Sequence, residues 1–217
     1  MKTMKLASVA LVALLVTFSG WLHAANYKEG VDYEVLEQPG KVDVPGKIEV
    51  REFFWYGCPH CFQLESTIKN WKPTLAEDVN FVATPAAMNK RWVAHAHAFY
   101  VAQALGKLDE IQPKLFYRLH VEKKPVNSQD QLAAFFGEFG VSESDFNKLY
   151  DSFSVRVKVR QADAMSRAYR LRGVPALVVN GKYLVKTQSG MSYEDMLKVV
   201  DFLIEKERTA SKVAASA

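Results

Sequence analysis

Only two cysteines occur among the 217 residues, too few for the disulfide framework of a small secreted scaffold. Eleven glycines and eight prolines exclude a collagen repeat or a low-complexity chain, and no internal repeat is visible. Charge of one sign is equally scarce. The 28 Lys and Arg stand against 24 Asp and Glu, a formal +4 that falls to +2 once Lys2 and Lys5 are set aside with the leader described below. So small an excess gives no electrostatic footing for nucleic acid or an acidic membrane surface. Beyond the first 24 residues no apolar run approaches the ~20 residues of a spanning helix. What the chain does have is apolar content, 49%, enough for one large domain or two small ones.

Residues 1–24 read as an address. Lys2 and Lys5 form a basic start, Leu6 to Val16 is apolar apart from Ser8, and Leu22-His23-Ala24 is a small-residue cleavage site with Leu in place of the first Ala. This is the layout of a cleaved secretory signal peptide. An uncleaved anchor is the alternative. Against it, Leu6–Leu22 is at the lower edge of spanning length and is interrupted by Thr17, Ser19 and Gly20. The mature chain is expected to be soluble, in the periplasm or an equivalent compartment outside the cytoplasm where disulfides persist.

Ile48–Tyr56 is β-branched and aromatic and predicts a buried strand. Gly57 and Cys58 break it, and Pro59 suits the first position of a helix. Leu64, Ile68, Trp71 and Leu75 carry that helix's apolar stripe, with Pro73 ending or kinking it. Val79–Ala83 predicts a second strand. From about Trp92 to Leu171 the periods are helical. Val93, Ala96, Tyr100 and Ala104 form one stripe, Ile111, Leu115 and Leu119 another, and Leu132, Phe135, Phe136 and Phe139 a third. Ser142 or Ser144 is a candidate cap for the next helix. A further helix should run from Val155 to Arg172, with Gly173 as its C-cap. Ala176–Val179 and Tyr183–Val185 flank Asn180-Gly181, a strong hairpin signal. Ser192 with Asp195 resembles a capping box for a last helix, and Thr209–Ala217 should fray. The order is β-α-β, a helical block, then β-β-α.

Both cysteines fall in one window, Cys58-Pro59-His60-Cys61. At a helix start, side chains at i and i+3 lie about 5–6 Å apart at Cβ, within reach of a disulfide after a modest shift. As a staple the pair would do little, since so short a loop contributes only ~2 kcal/mol. A structural zinc site needs four ligands, and there is no second cysteine pair, so no metal is expected. His95, His97 and His120 read as ordinary surface or core histidines. The remaining reading is redox chemistry. Cys58 lies at a helix N-terminus, where free N–H groups and the dipole favour a negative sulfur, and His60 beside it favours the thiolate further. Cys58 is then the attacked and attacking sulfur, and Cys61 the resolving one.

Phe53-Phe54, the Cys58-Pro59-His60-Cys61 motif, the helix behind it and Gly173-Val174-Pro175-Ala176 together resemble the DsbA family of exported bacterial thiol:disulfide oxidants, over essentially the whole mature chain. That family is known for a very low-pKa cysteine and a strongly oxidising disulfide, properties that the resemblance carries over. It implies an α/β, thioredoxin-like fold with an inserted all-helical domain: residues 25–89 and 163–217 in the thioredoxin-like part, and residues 90–162 in the insert. It also implies a cis Val174–Pro175 peptide against the cysteine pair, with Val174 offering its backbone to an extended substrate. Glu52 matches the family's buried acid, which helps move the proton of the buried cysteine. The family's partner lysine on the next strand is missing here, where the residues are Phe81-Val82-Ala83-Thr84. Trp55, Phe62 and Trp92 read as core or groove lining.

The expected function is oxidation of cysteine pairs in reduced exported client proteins, with Cys58, Cys61, His60, Pro59 and Glu52 at the catalytic centre and Val174 and Pro175 at the substrate. The only redox group is the Cys58–Cys61 disulfide, without a cofactor. The implied reoxidant is a membrane quinone-linked protein of the DsbB type, and the oxidase is expected to be a monomer. Two alternatives stay open: an isomerase or reductase of the same fold, and a thioredoxin-like chaperone or binding module without turnover.

Overall fold

The computed structural model describes residues 27–216; the expected signal peptide lies outside the described residues. Five strands form one sheet in the order β1-β5-β4-β2-β3. Strand β2 (Ile48–Phe54) lies between β3 (Val79–Pro85), parallel to it, and β4 (Ala176–Val179), antiparallel. Strand β5 (Tyr183–Lys186) continues the sheet antiparallel to β4, and a two-residue edge strand, β1 (Glu34–Val35), closes it. All seven residues of β2 are buried, as expected for a strand covered on both faces.

On one face Ile48 and Val50 of β2 and Leu177 and Val179 of β4 pack against Leu64 and Ile68 of α1 (Pro59–Trp71) and against Met196, Val199, Val200 and Leu203 of α7 (Tyr193–Ala215). On the other, Phe53, Ala176, Val178 and Leu184 pack around Tyr169. The helical block between β3 and β4 comprises α2 (Lys90–Ala104), α3 (Leu108–His120), α4 (Gln129–Gly137), α5 (Glu143–Tyr150) and α6 (Phe153–Ala168). Its aromatic core joins the sheet through Phe54, which meets Phe99 at 5.6 Å and Phe116 at 5.9 Å between ring centroids. The expected caps are present: Ser142 accepts from Asp145 N–H and Ser192 from Asp195 N–H. Among the described residues no helix is long and apolar enough to cross a membrane.

Strand β2 ends two residues early at Phe54 and β3 two residues late at Pro85, α6 begins two residues early at Phe153, and two helix C-termini differ more from the sequence reading. Helix α6 stops at Ala168 instead of Arg172. The left-handed residue is Arg170, φ 49°, with its N–H bonded to Arg167 O and Leu171 N–H to Ser166 O. This pair of bonds is a Schellman ending, made without the glycine that the sequence offered three residues later. Helix α7 continues past Thr209 through Ala215, its last turns being rich in alanine, the best helix former. The Asn180-Gly181 turn is as expected: both residues have positive φ, 50° and 64°, and Lys182 N–H returns to Val179 O, the geometry that asparagine and glycine permit.

Candidate active site

The turn from β2 into α1 places the sulfurs. Cys58 is the N-cap of α1, extended at φ −87° and ψ 118°, and Pro59 follows in the first turn. The sulfur occupies the place of a capping oxygen and accepts the Cys61 N–H at 3.3 Å. That amide is one of the orphan donors of a helix start, so the backbone is already arranged to receive negative charge. Gly57 is required by a close approach: a Cβ there would come within 2.2 Å of the Trp55 indole, which itself stacks on Trp92 at 4.7 Å. Both thiols are free and buried.

The two sulfurs differ sharply in proton affinity. Cys58 is lowered to about 6, first by the hydrogen bond with the Cys61 side chain, against its own burial, and then by the N–H groups of Cys61 and His60 and the charge of His60. Burial, the hydrogen bond with Cys58 and the charges of Cys58 and Glu52 push Cys61 far up. One helical turn separates a sulfur poised as thiolate from one that holds its proton.

From across the sheet, the loop leading into β4 brings Val174, whose carbonyl lies 3.3 Å from Cys58 Sγ, and the Val174–Pro175 peptide is cis. His60, in the first turn of α1, points to the side, its Nδ1 3.1 Å from the Tyr193 hydroxyl. Cys58, Pro59, His60, Cys61, Val174 and Pro175 therefore lie together. Glu52 lies in the strand below. Its carboxyl is held well above the usual range by burial, then by Glu65 and Cys58. Its neighbours in register are Ala83 on β3 and Leu177 on β4, so neither adjacent strand supplies a cation there.

Several residues around the site were missed by sequence reasoning. Glu65 of α1 is also raised by burial, while Gln112 of α3 hydrogen-bonds it at 3.0 Å. The Tyr56 hydroxyl is buried with no hydrogen-bond partner. Glu65 had a signal, since it stands four residues after Cys61 and so shares its helix face. His120, which the sequence leaves without a companion, bonds the Tyr56 carbonyl at 2.7 Å and stacks on Phe62 at 4.9 Å. His95 and His97 bond the carbonyls of Val126 and Tyr150, on different sides of α2. Among the described residues no cluster of three or more His, Cys, Asp or Glu is arranged to hold a metal.

Comparison with known proteins places this geometry in context. Residues 66–198 match the DSBA-like thioredoxin domain; the match begins downstream of Cys61, and the cysteine pair is located by its own geometry. The chain is 38% identical over 203 residues to the thiol:disulfide interchange protein DsbA of Pseudomonas aeruginosa, covering 94% of this chain and 96% of that protein. To the DsbA of Pseudomonas syringae pv. tomato it is 39% identical over 207 residues, covering 95% and 97%. The crystal structure of Pseudomonas aeruginosa DsbA superposes with a TM-score of 0.81 at 39% identity, covering 86% of this chain and 97% of that one. For the oxidoreductase DsbA from Xylella fastidiosa the TM-score is 0.79 at 31% identity, over 84% and 98%.

Proposed function

Since the chain belongs to the DSBA-like thioredoxin family, it is a thiol:disulfide oxidoreductase, and we propose that it oxidises exported proteins with Cys58 as the attacking sulfur and Cys61 as the resolving one. The pair is its redox group, and no cofactor is needed. The observation that carries this reading is the Cys58 sulfur serving as the N-cap acceptor of α1, 3.3 Å from the Cys61 N–H.

In the oxidised enzyme a client thiolate attacks Cys58 Sγ. The Cys58–Cys61 bond breaks, its electron pair leaves with Cys61, and a mixed client–Cys58 disulfide forms. Cys61 has the higher proton affinity and takes up a proton. Glu52, kept protonated by its burial, is placed to supply it. A second client thiolate then attacks the client sulfur of the mixed disulfide. Cys58 departs as a thiolate, a good leaving group because its pKa is low. The client has lost two electrons, and the enzyme holds them as one thiolate and one thiol. Val174 offers a backbone carbonyl and Pro175 an N–H-free surface beside the sulfur, so an extended client can be held without regard to its side chains. Pro59 opens the helix, and His60 supports the thiolate.

Oxidation of exported proteins calls for a periplasmic location, in keeping with the leader read in residues 1–24. Turnover requires a reoxidant, for which we propose a membrane quinone-linked protein of the DsbB type. We further propose that residues 25–89 and 163–217 form the thioredoxin-like unit and residues 90–162 the helical insert, acting as a monomer; α6 runs across residue 162, so a continuous helix joins the two units.

Refolding of a reduced client in a glutathione buffer, with the protein at catalytic amounts, tests the function. Many turnovers that leave disulfides in the client are expected; binding without turnover would overturn it. Cys61→Ala should accumulate clients covalently on Cys58, whereas accumulation on a Cys58→Ala variant would reverse the two roles.

A further inference from the structure

We propose that Tyr193 is a positioning residue: its hydroxyl holds the His60 ring in the orientation that supports the Cys58 thiolate. The inference rests on the reading of Cys58 as the attacking sulfur.

Tyr193 is the first residue of α7, directly after its Ser192 cap. Its hydroxyl lies 3.1 Å from His60 Nδ1 and donates to Gln63 Oε1 at 3.0 Å. A hydroxyl has one proton to give. With that proton committed to Gln63, the Tyr193 oxygen can only accept from His60, so Nδ1 carries a hydrogen. His60 and Gln63 are three residues apart on one helix face, and the hydroxyl ties both to a different element of the fold.

A consequence follows for the sulfur. A neutral ring protonated at Nδ1 has only a lone pair at Nε2 and cannot donate from there. The support the His60 ring gives Cys58, beside that of the His60 backbone N–H, is then electrostatic, in agreement with both being among the causes that lower Cys58. Burial and then the charges of Cys58 and Cys61 raise the Tyr193 phenol, so it remains a hydroxyl while the thiolate forms. The other ionisable group acting on this sulfur is Cys61 of α1, while the sulfur's own charge acts on Glu52 of β2; neither residue bonds Tyr193.

The contact is separable from the docking of α7. That helix is tied to α1 independently, by Thr67 Oγ1 to Glu194 at 3.4 Å and by Trp71 Nε1 to Asp201 at 2.9 Å, and it buries Met196, Val199, Val200 and Leu203. Removing one hydroxyl while keeping the ring leaves all of these in place.

The test is Tyr193→Phe, read by thiolate absorbance against pH and by the equilibrium constant with glutathione. One hydrogen bond of ordinary net strength predicts a rise of about half a unit in the Cys58 pKa and a ~3-fold weaker preference for the reduced enzyme. His60→Ala should raise the pKa further. The double variant should match His60→Ala alone, because the tyrosine acts only through the histidine. A Tyr193→Phe effect that persists in full without His60 would overturn the proposal, as would a low wild-type pKa that Tyr193→Phe leaves unchanged. A wild-type Cys58 titrating near ~8.5 would overturn the thiolate reading itself, and this proposal with it.

Discussion

On one face of β2, Arg51 lies between Glu49 and Asp43, each at 2.8 Å, and donates to Thr84 at 2.8 Å. On the other face, one residue further along, Glu52 is as deeply buried as Glu49, each 2% exposed, yet has no cationic partner among the described residues. Burial alone would lower the Arg51 guanidinium; the hydrogen bonds and charges of Glu49 and Asp43 more than reverse this. At Glu52 nothing reverses the burial, and the neighbouring Glu65 adds to it. Adjacent positions in one strand thus bury ionisable groups in opposite ways, one with its charge compensated and one kept neutral. The paired set is a joint: it fastens the segment carrying Asp43 to the sheet while keeping every charge compensated. The unpaired acid is held in its neutral form by burial, and in the proposed cycle it is the group that would hand a proton to Cys61.

The contrast is sharpest under mutation of Arg51. Arg51→Ala leaves Glu49 buried without its cation and should cost about 3–5 kcal/mol of stability, seen as a lower urea midpoint. Molecules that remain folded should keep the wild-type Cys58 pKa. A loss under 1 kcal/mol would show that the joint carries little load.

Glu52→Gln should act in the opposite direction. An acid whose folded pKa is raised costs stability as pH climbs from its unfolded value of ~4.3 towards the folded one, and the cost then persists at neutral pH. Removing the acid should add about 1–2 kcal/mol at pH 7, the scale of a buried polar group relieved of an unmet demand. It should also slow the steps in which Cys61 changes protonation, measured by single-turnover client oxidation. A destabilised Glu52→Gln protein would mean that the carboxyl has a partner after all, and the two faces of the strand would no longer differ.

The smallest effect is a pH dependence. Cys58 in the folded reduced protein titrates at about 6, below the ~8.5 of a free cysteine. A depressed acid contributes stability that is complete above the unfolded value and is lost as pH falls through the folded one. The oxidised protein has no thiolate. The urea stability of the reduced form relative to the oxidised form should therefore grow by on the order of 1 kcal/mol between pH 5 and pH 7. Below pH 8 Cys61 keeps its proton, folded or unfolded, and does not enter the difference. A gap independent of pH would remove the thiolate from the account.

Much of this was legible beforehand, for particular reasons. The β2 strand, the helix opened by Pro59 and the Asn180-Gly181 turn each carry a local signal that spans only a few residues. The cysteine pair was legible because its partners are three positions apart and share one helix start. Tyr193 and Gln63, by contrast, are 130 residues apart along the chain, and nothing in either segment marks the contact with His60. Glu65 was half legible, being on the face of Cys61 by spacing, while its burial depends on α3 closing over it through Gln112. The end of α6 was misplaced because a glycine attracts the reading of a C-cap, whereas the turn formed at Arg170.

By itself the sequence determined where the redox chemistry is expected: two sulfurs at one helix start, set by covalent neighbourhood and helical spacing, whereas the acid in the strand before them and the Val-Pro pair far downstream were implied only by the family resemblance. The tertiary structure decided how that chemistry is tuned. Whether a buried carboxyl meets a cation, whether a thiol is capped by an amide, and which hydroxyl holds a histidine are questions of through-space distance at a few ångströms. Those distances exist only after the helices close on the sheet, because electrostatic energy depends on separation and on exclusion of water, neither of which the order of residues contains.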